Sequence, residues 1–207
     1  RKYYPIGIQK DKTNAYYDHK GIKALNQLYI DNIQNPENLE KKWKRLLKEL
    51  AQCVSFELTD STFRGPSFSA YLSLFTHRAG TIHHLKELHF SVSLLGPFYQ
   101  IYGKDYSIIF EDGKHLNNTF PNVITTAPLG DFADTFITVE KFLQEKFLHH
   151  KLIPFFIGQS LLKGLQVPYL DDDVCTIHQA LFNDELPASQ AVSIRKKGNY
   201  GMEQWRK

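Results

Sequence analysis

The chain has 207 residues, of which 42% are hydrophobic and 23% are charged, and it carries a formal net charge of +3 at pH 7. This length is typical of one large domain that can fold without disulfides, and the composition is ordinary for a soluble globular protein. No apolar run approaches the roughly 20 residues that a membrane-spanning helix needs, so the sequence predicts no membrane partner.

The charge is distributed unevenly along the chain. Residues 1–53 contain 11 basic and 6 acidic side chains, residues 54–189 contain 9 and 15, and residues 190–207 contain 5 and 1. Basic ends favour nucleic acid, and an acidic centre favours a basic partner. Solvated helices and tails produce the same pattern and are its commoner origin.

Two cysteines, Cys53 and Cys175, are too few for a disulfide framework. Two thiols in a chain of this length are more often reduced and buried than paired, although the sequence leaves one bridge open. The chain begins at Arg1 rather than at Met, which indicates trimming or processing. We expect a cytoplasmic protein, with a removed signal peptide as the alternative.

The chain opens with two helical patterns. Between residues 15 and 33 apolar side chains recur every three or four residues, although Gly21 weakens the pattern. Asn35 then provides a helix N-cap, and Pro36 suits the first helical position. The apolar spacing that follows predicts an amphipathic helix over residues 36–52, whose basic outer face consists of Lys41, Lys42, Lys44, Arg45 and Lys48.

From Val54 onward the apolar period changes from 3.6 to 2. Alternation within residues 53–63, 67–77, 86–95 and 98–110 predicts extended strands. Because the connections between them are short, neighbouring strands must run antiparallel, since parallel pairs need long crossovers. The sequence therefore predicts an antiparallel meander of about four or five strands.

The last third of the chain returns to helical patterns. Residues 119–130 resemble a loop, and Asp131 is placed to cap a helix whose inward side chains are Phe132, Phe136, Val139, Leu143 and Phe147. Asp173 is placed to cap a final helix over residues 174–183. We predict one α+β domain over residues 1–194, with one sheet face covered by amphipathic helices from both ends of the chain. Residues 195–207 are predicted to form a basic, flexible C-terminal tail.

The histidines in "HHLKELHFSVSLLGPFYQIYG", residues 83–103, read as parts of a strand. His83 and His89 would lie roughly 20 Å apart on an extended strand, too far to bind one ion together. Cys175 and His178, three residues apart and following Asp171–Asp173, form the best local metal candidate. An acidic run before a helix more often stabilises the helix N-terminus. We therefore predict no metal and no cofactor.

Sequence motifs of catalysis are absent. Ser160 in "IGQSLL" lacks the second glycine of a nucleophile elbow, and the chain contains no phosphate-binding glycine loop and no His-Glu-x-x-His. Many active sites have no local signature, so these absences weigh against an enzyme without excluding one. No catalytic residue is assigned.

The alternating strands predict a second, polar sheet face rich in serine. Small polar side chains leave room for something larger, so this face is a candidate concave platform for a protein partner, with candidate contact residues Glu57, Tyr71, Ser73, His89 and Ser91. The alternative, and the more common outcome, is an ordinary solvent-facing sheet surface.

Three functions remain open. The first is a non-catalytic protein-binding module, such as an inhibitor or a toxin-neutralising immunity-type protein, that binds stoichiometrically. The second is a hydrolase-type enzyme that uses Glu57, His89 and Tyr71 as acid, base and orienting group. The third is nucleic-acid binding through the basic helix 36–52 and the basic tail, which the nearly balanced total charge disfavours. The sequence does not predict an oligomeric state.

Overall fold

A computed structural model describes residues 2–10, 14–62, 65–111, 114–170, 174–186 and 193–205. The predicted α+β fold with its antiparallel meander is confirmed. The helices before the sheet are α1 (Ala15–Asp18), α2 (Lys20–Tyr29), α3 (Pro36–Leu39) and α4 (Arg45–Ala51). The strands of the meander are β1 (Glu57–Asp60), β2 (Ser67–Ala79), β3 (Ile82–Ser93), β4 (Phe98–Glu111) and β5 (Lys114–Thr125). The remaining elements are α5 (Ala133–Lys146), β6 (Lys151–Leu152), α6 (Phe155–Gly158), β7 (Leu161–Leu162), β8 (Cys175–Thr176), α7 (Ile177–Leu181) and β9 (Ser193–Arg195).

The helix predicted over residues 36–52 is confirmed as one helical rod from Pro36 to Ala51. A π-helical turn, Glu40–Lys44, joins α3 to α4, and a second one, Ile30–Gln34, extends α2. Asn35 caps the rod as predicted, because its side-chain oxygen accepts hydrogen bonds from the backbone amides of Glu37 and Asn38. Among the described residues, no helix has the length and apolar character needed to cross a bilayer.

The main sheet is arranged in chain order, β1-β2-β3-β4-β5, with each neighbour antiparallel. Two short strands extend this meander: β6 pairs in parallel with β4, and β9 pairs in parallel with β5. A separate small sheet is formed by β7 and β8. The long β2–β3 hairpin turns at Gly80, which has a φ of +58° and so suits glycine.

Several of the predicted boundaries are wrong: β1 is limited to Glu57–Asp60, and Asp131 lies within a 3-10 turn, Gly130–Phe132, and does not cap α5. Residues 119–125, predicted as part of a loop, belong to β5, because the ladder with β4 shifts register beside Pro121 and thus tolerates a residue that has no amide hydrogen. The last helix runs from Ile177 to Leu181 and is capped by Thr176 and Gln179. Asp173, the predicted cap, lies outside the described residues.

The main core lies between one face of the sheet and the helices. It is built by alternate side chains of β2, β3 and β4, by the helical rod and by α5. Trp43 stacks on Phe68 with ring centroids 5.3 Å apart, and its indole nitrogen donates to Asp60. The inward side chains predicted for α5 from Phe132 to Leu143 are buried. The alternate apolar side chains of the strands are buried on this face, as predicted, because side chains two residues apart on a strand point the same way.

A second, smaller core lies at the other side of the molecule. It joins the N-terminal arm, α1 and α2 to the C-terminal segment that contains β8 and α7, through Tyr4, Tyr16, Ile22, Leu25, Leu165, Val167, Cys175 and Ala180. Cys53 is exposed whereas Cys175 is buried, and no disulfide is present among the described residues.

The C-terminal segment, predicted as a flexible tail, packs against the domain near its described end, at Gln204 and Trp205. The indole nitrogen of Trp205 donates to the backbone oxygen of Leu152 at 2.8 Å, and its ring stacks on Phe98. The side chain of Gln204 accepts from the amide of Leu152 and donates to the hydroxyl of Tyr99. These contacts bind the segment to the edge where β6 joins β4, so its basic composition did not predict its packing.

Gly21 explains a weakness in the helical pattern of α2. A Cβ atom at this position would lie 2.3 Å from the backbone oxygen of Tyr3 and 2.7 Å from that of Lys2. Gly21→Ala gains about 1 kcal/mol of helix propensity, but the clashing atoms belong to the backbone, so displacing the N-terminal arm costs about 2–3 kcal/mol, the upper part of the usual range for overpacking. We expect a net loss of roughly 1–2 kcal/mol in the free energy of unfolding, measured by urea denaturation. Asn26→Ala, an exposed change on the same helix, is the control and should be neutral or stabilising; equal behaviour of the two variants contradicts the argument.

Candidate functional site

The polar face is the side of the sheet opposite the helical rod and α5. The strand register sets its side chains in rows that cross the sheet: Thr59, Tyr71, His89 and Tyr102 form one row, and Glu57, Ser73, Glu87 and Lys104 form the next. Near the other end of the strands, Ser69, Ser91 and Gln100 form a third row.

The serine-rich end of the polar face, which carries Ser67, Ser69, Ser91 and Ser93, is covered by another segment of the chain. The hydroxyls of Ser67 and Ser93 donate to the backbone oxygens of Phe182 and Leu181, at 2.9 and 2.8 Å. The side-chain amide of Asn183 donates to the hydroxyls of Ser69 and Ser91, at 3.2 and 3.3 Å. The small hydroxyl-bearing side chains thus leave room for α7 and the residues that follow it.

The prediction of an open platform is therefore wrong for two of its residues, since Ser91 is 2% exposed and His89 is 5% exposed. Glu57 is exposed, and Tyr71 and Ser73 are half-buried. Tyr71 does contact His89, with ring centroids 5.2 Å apart. Glu57 lies on β1 and His89 on β3, so β2 runs between them, and the two residues belong to neighbouring rows of side chains. Whether these five residues contact a partner stays a prediction, but they do not form one continuous open surface.

The acidic partner of His89 is Glu87, a residue that the site prediction did not include. Glu87 Oε2 lies 2.9 Å from His89 Nε2, and both side chains are less than a tenth exposed. The signal for it was present, because residues two apart on a strand share a face and Glu87 lies in the same alternating run. The His89 ring lies between the rings of Tyr71 and Tyr102, whose planes are tilted from it by 27° and 4°.

The surroundings of Glu87 keep it ionised. Burial raises the pKa of its carboxyl, but hydrogen bonds to His89 and Tyr106 and the charges of His89 and Lys104 outweigh this effect, so the pKa lies below its ordinary value. Burial and the neighbouring Glu87 raise the pKa of Tyr106, which therefore stays a neutral hydrogen-bond donor. Lys104 lies over the ring of Tyr106 at 4.8 Å from its centroid.

A carboxylate–histidine pair can act as a base-and-orienting unit when a substrate reaches the imidazole. Here both ring faces of His89 contact tyrosine rings, one ring nitrogen is engaged by Glu87, and the side chain is 6% exposed. In this conformation the pair leaves no approach to the imidazole, and its evident effect is to join β3 to β2 and β4 within the interior.

His178 lies deeper, at the contact between α7 and the sheet. Its Nε2 atom is 3.2 Å from the side-chain oxygen of Asn183, and its ring meets Tyr102 edge-on. Burial lowers the pKa of His178 from 6.5 to about 4, only partly offset by the bond to Asn183, so the ring is neutral near pH 7. No group of three or more metal-ligating side chains occurs in the part of the chain described by the structure. Asp171–Asp173, which belonged to the metal candidate at Cys175 and His178, lie outside the described residues.

The structure reveals another candidate site on the opposite side of the sheet. A surface groove of about 350 Å³ runs between the helical rod and the end of α5. We call it the basic groove; it is lined by Lys41, Lys42, Arg45, Leu46, Glu49, Phe68, Lys146 and Phe147. The sequence indicated its basic helix face but gave no sign that Phe147 at the end of α5 would form the other wall.

The local backbone at the basic groove is unusual. Lys41 and Lys42 lie within the π-helical turn Glu40–Lys44, whose buried member is Trp43. Single π-helical turns within α-helices occur frequently at functional sites. The wider turn also changes the angular positions of the side chains before Arg45, so the 3.6-residue pattern alone could not place these cations relative to one another.

Comparison with protein-family models, curated proteins and solved structures found no match for this chain. The geometry of the two candidate sites is therefore the basis for inferring a function.

Replacing the two glutamates tests the observed pairing of His89. Glu87→Gln removes an ionised hydrogen-bond acceptor from the interior, and we expect the free energy of unfolding at pH 7 to fall by about 2 kcal/mol. Because the pKa of Glu87 is lowered in the folded state, this contribution is present above pH 4.5 and is lost as the pH falls below it. Urea denaturation at several pH values measures both effects. Glu57→Gln, the matched control, should stay within about 0.5 kcal/mol of the wild type; a larger loss for Glu57 than for Glu87 contradicts the pairing.

His178 provides a prediction for the range between pH 6.5 and pH 4. The folded protein holds the ring neutral while the unfolded chain protonates it near pH 6.5, so acid favours unfolding across this range. The stability advantage of the wild type over His178→Gln should decrease by about 3 kcal/mol from pH 7 to pH 4. Chemical denaturation across this range measures it, with the exposed His77→Gln as control. Parallel pH profiles of the wild type and His178→Gln would show that the buried ring is not linked to acid unfolding.

Proposed function

We propose that this chain is a non-catalytic protein-binding module that binds its partner stoichiometrically through the basic groove. An inhibitor or a toxin-neutralising immunity-type protein acts in this way. The observation that supports the proposal is a set of exposed cations, Lys41, Lys42 and Arg45, beside an apolar floor, with no carboxylate within salt-bridge distance among the residues that the structure describes.

The charges of the basic groove are not balanced internally. Lys146 pairs with Glu49 at 2.5 Å, and the nearby Glu40 is already paired with Lys48 at 2.6 Å. Among the described residues no carboxylate lies within salt-bridge distance of Lys41, Lys42 or Arg45; the amine of Lys42 donates to the neutral side chain of Asn32. Unpaired surface cations of this kind steer and align a complementary acidic surface.

The floor of the basic groove is apolar. Leu46 and Phe147 are half-buried and pack against the main core, while Phe68 lies beneath them and is 5% exposed. Binding energy at protein interfaces is concentrated where an apolar or aromatic anchor fills a pocket that a polar rim surrounds. The groove has this arrangement, with lysine and arginine as its rim.

The geometry gives less support to catalysis. The Glu87–His89 pair is covered on both ring faces, and Glu57 is too far from His89 to join it. The cavity beside His178, which Gln100 and Gln159 also line, has a volume of about 10 Å³. A cavity of this volume accommodates about one water molecule and no substrate.

The proposal is tested by charge reversal in the basic groove. The double variant Lys41→Glu/Arg45→Glu should recover at least about tenfold less of a one-to-one protein partner from the native host than the wild type does. The double variant Lys20→Glu/Lys163→Glu alters the net charge equally at exposed positions outside the groove and should recover the partner normally. Quantitative cross-linking and mass spectrometry of the bound proteins measure the recovery.

Two results would contradict the proposal. One is a stoichiometric partner whose recovery does not depend on the groove cations. The other is recovery of nucleic acid through the groove, with an affinity that falls steeply as the salt concentration rises, which would favour the basic helix as a nucleic-acid surface.

A further inference from the structure

We infer that the partner presents to the basic groove an acidic segment with one large apolar side chain between its carboxylates. This inference rests on the proposed function and specifies the chemistry of the surface that the groove recognises.

The position of the cations sets the spacing of the acidic groups. Lys41 and Arg45 are four residues apart on one helical rod, and the turn between them is π-helical, so they are separated by about one turn, roughly 5 Å along the axis. Carboxylates at a similar separation occur four residues apart on a helix and two residues apart on a strand. Lys42 lies next to Lys41 on the same wall, so two such carboxylates can each reach a cation at once.

The apolar floor beside the cations favours a segment that carries an apolar group among its carboxylates. Leu46 follows Arg45 directly on the rod, and Phe147 stands on the opposite wall at the end of α5. A ligand that pairs with the cations inside the groove therefore also meets Leu46 and Phe147, which line the same groove. A purely acidic or purely hydroxylated segment would leave that surface in contact with water, whereas an aromatic or aliphatic side chain would bury it.

The opposite wall adds selectivity. The ammonium group of Lys146 forms an ion pair with Glu49 and lies 5.5 Å from the ring centroid of Phe142. The charge of Lys146 is therefore already balanced, and this side of the groove is nearly neutral. The groove thus has one cationic wall and one largely apolar wall. Single-stranded nucleic acid stacks successive bases on several aromatic side chains, whereas the groove offers one half-buried ring, Phe147, because Phe68 is only 5% exposed, so we favour a protein segment.

The inference is tested with defined peptides and the full chain. The probe is a fluorescently labelled peptide with a central Phe flanked by Glu residues, and the comparison peptide has Ala in place of Phe. Fluorescence anisotropy at about 50 and 200 mM salt should show that the wild type binds the Phe peptide at least about tenfold more tightly than the Ala peptide. Lys41→Glu/Arg45→Glu should lose at least about tenfold in affinity for the Phe peptide, and Lys20→Glu/Lys163→Glu should not.

A second variant separates the anchor from the charges. Leu46→Ser, checked for folding by circular dichroism, should lower affinity for the Phe peptide and leave the weak binding of the Ala peptide unchanged, because Leu46 contributes apolar contact and no charge. Equal binding of the two peptides by the wild type would overturn the inference. So would tighter binding of an oligo-thymidine, of vesicles containing phosphatidylserine, or of a second copy of this chain at the groove.

Failure of this inference is distinguishable from failure of the proposed function. If partner recovery depends on Lys41 and Arg45 but the Phe peptide shows no preference, the groove binds a protein of different chemistry and only the inference is wrong. If partner recovery does not depend on these cations, the proposed function fails whatever the peptides show.

Discussion

The structure depends on the burial of one sheet on both of its faces. On the first face the constraint is hydrophobic, with Trp43 stacked on Phe68. On the second face it is polar: serine hydroxyls donate to the carbonyls of residues 181 and 182, and Asn183 donates to two further hydroxyls. Each such hydrogen bond contributes only about 1 kcal/mol net, but a buried group without a partner would cost about 1–3 kcal/mol. Residues 181–183 therefore satisfy the serine hydroxyls only when they lie in one position along the strands.

This two-sided burial determines where the molecule can act. It places Glu87, His89 and His178 in the interior, where their hydrogen bonds and ring contacts serve cohesion between the layers. The basic groove, by contrast, opens to the surface beside the helices that cover the first face. Its walls are the rod and the end of α5, and side chains of the main core or packed against it form its floor.

The sequence predicted the fold well where a periodic pattern was long. The rod from Pro36 to Ala51 and the strands β2 to β4 followed from apolar spacing, since each had one strongly apolar face. It failed where the decisive contact was distant in sequence. Pro121 suggested a loop because the neighbouring strand that tolerates it could not be seen, and the segment ending at Trp205 looked like a tail because its docking site at Leu152 lies 53 residues earlier.

For the candidate sites, the sequence by itself determined the residue types: a basic helix face, a serine-rich strand face, and a histidine two residues after a glutamate. Only the tertiary structure decided what each of them faces. An alternating strand specifies that two faces differ, but it does not specify whether water or another segment covers the polar one, because hydroxyls form hydrogen bonds equally well with either. The same limit applies to the groove: helical periodicity can place cations on one side of a rod, whereas the apolar wall at Phe147 comes from a helix a hundred residues later, brought there by burial of the core.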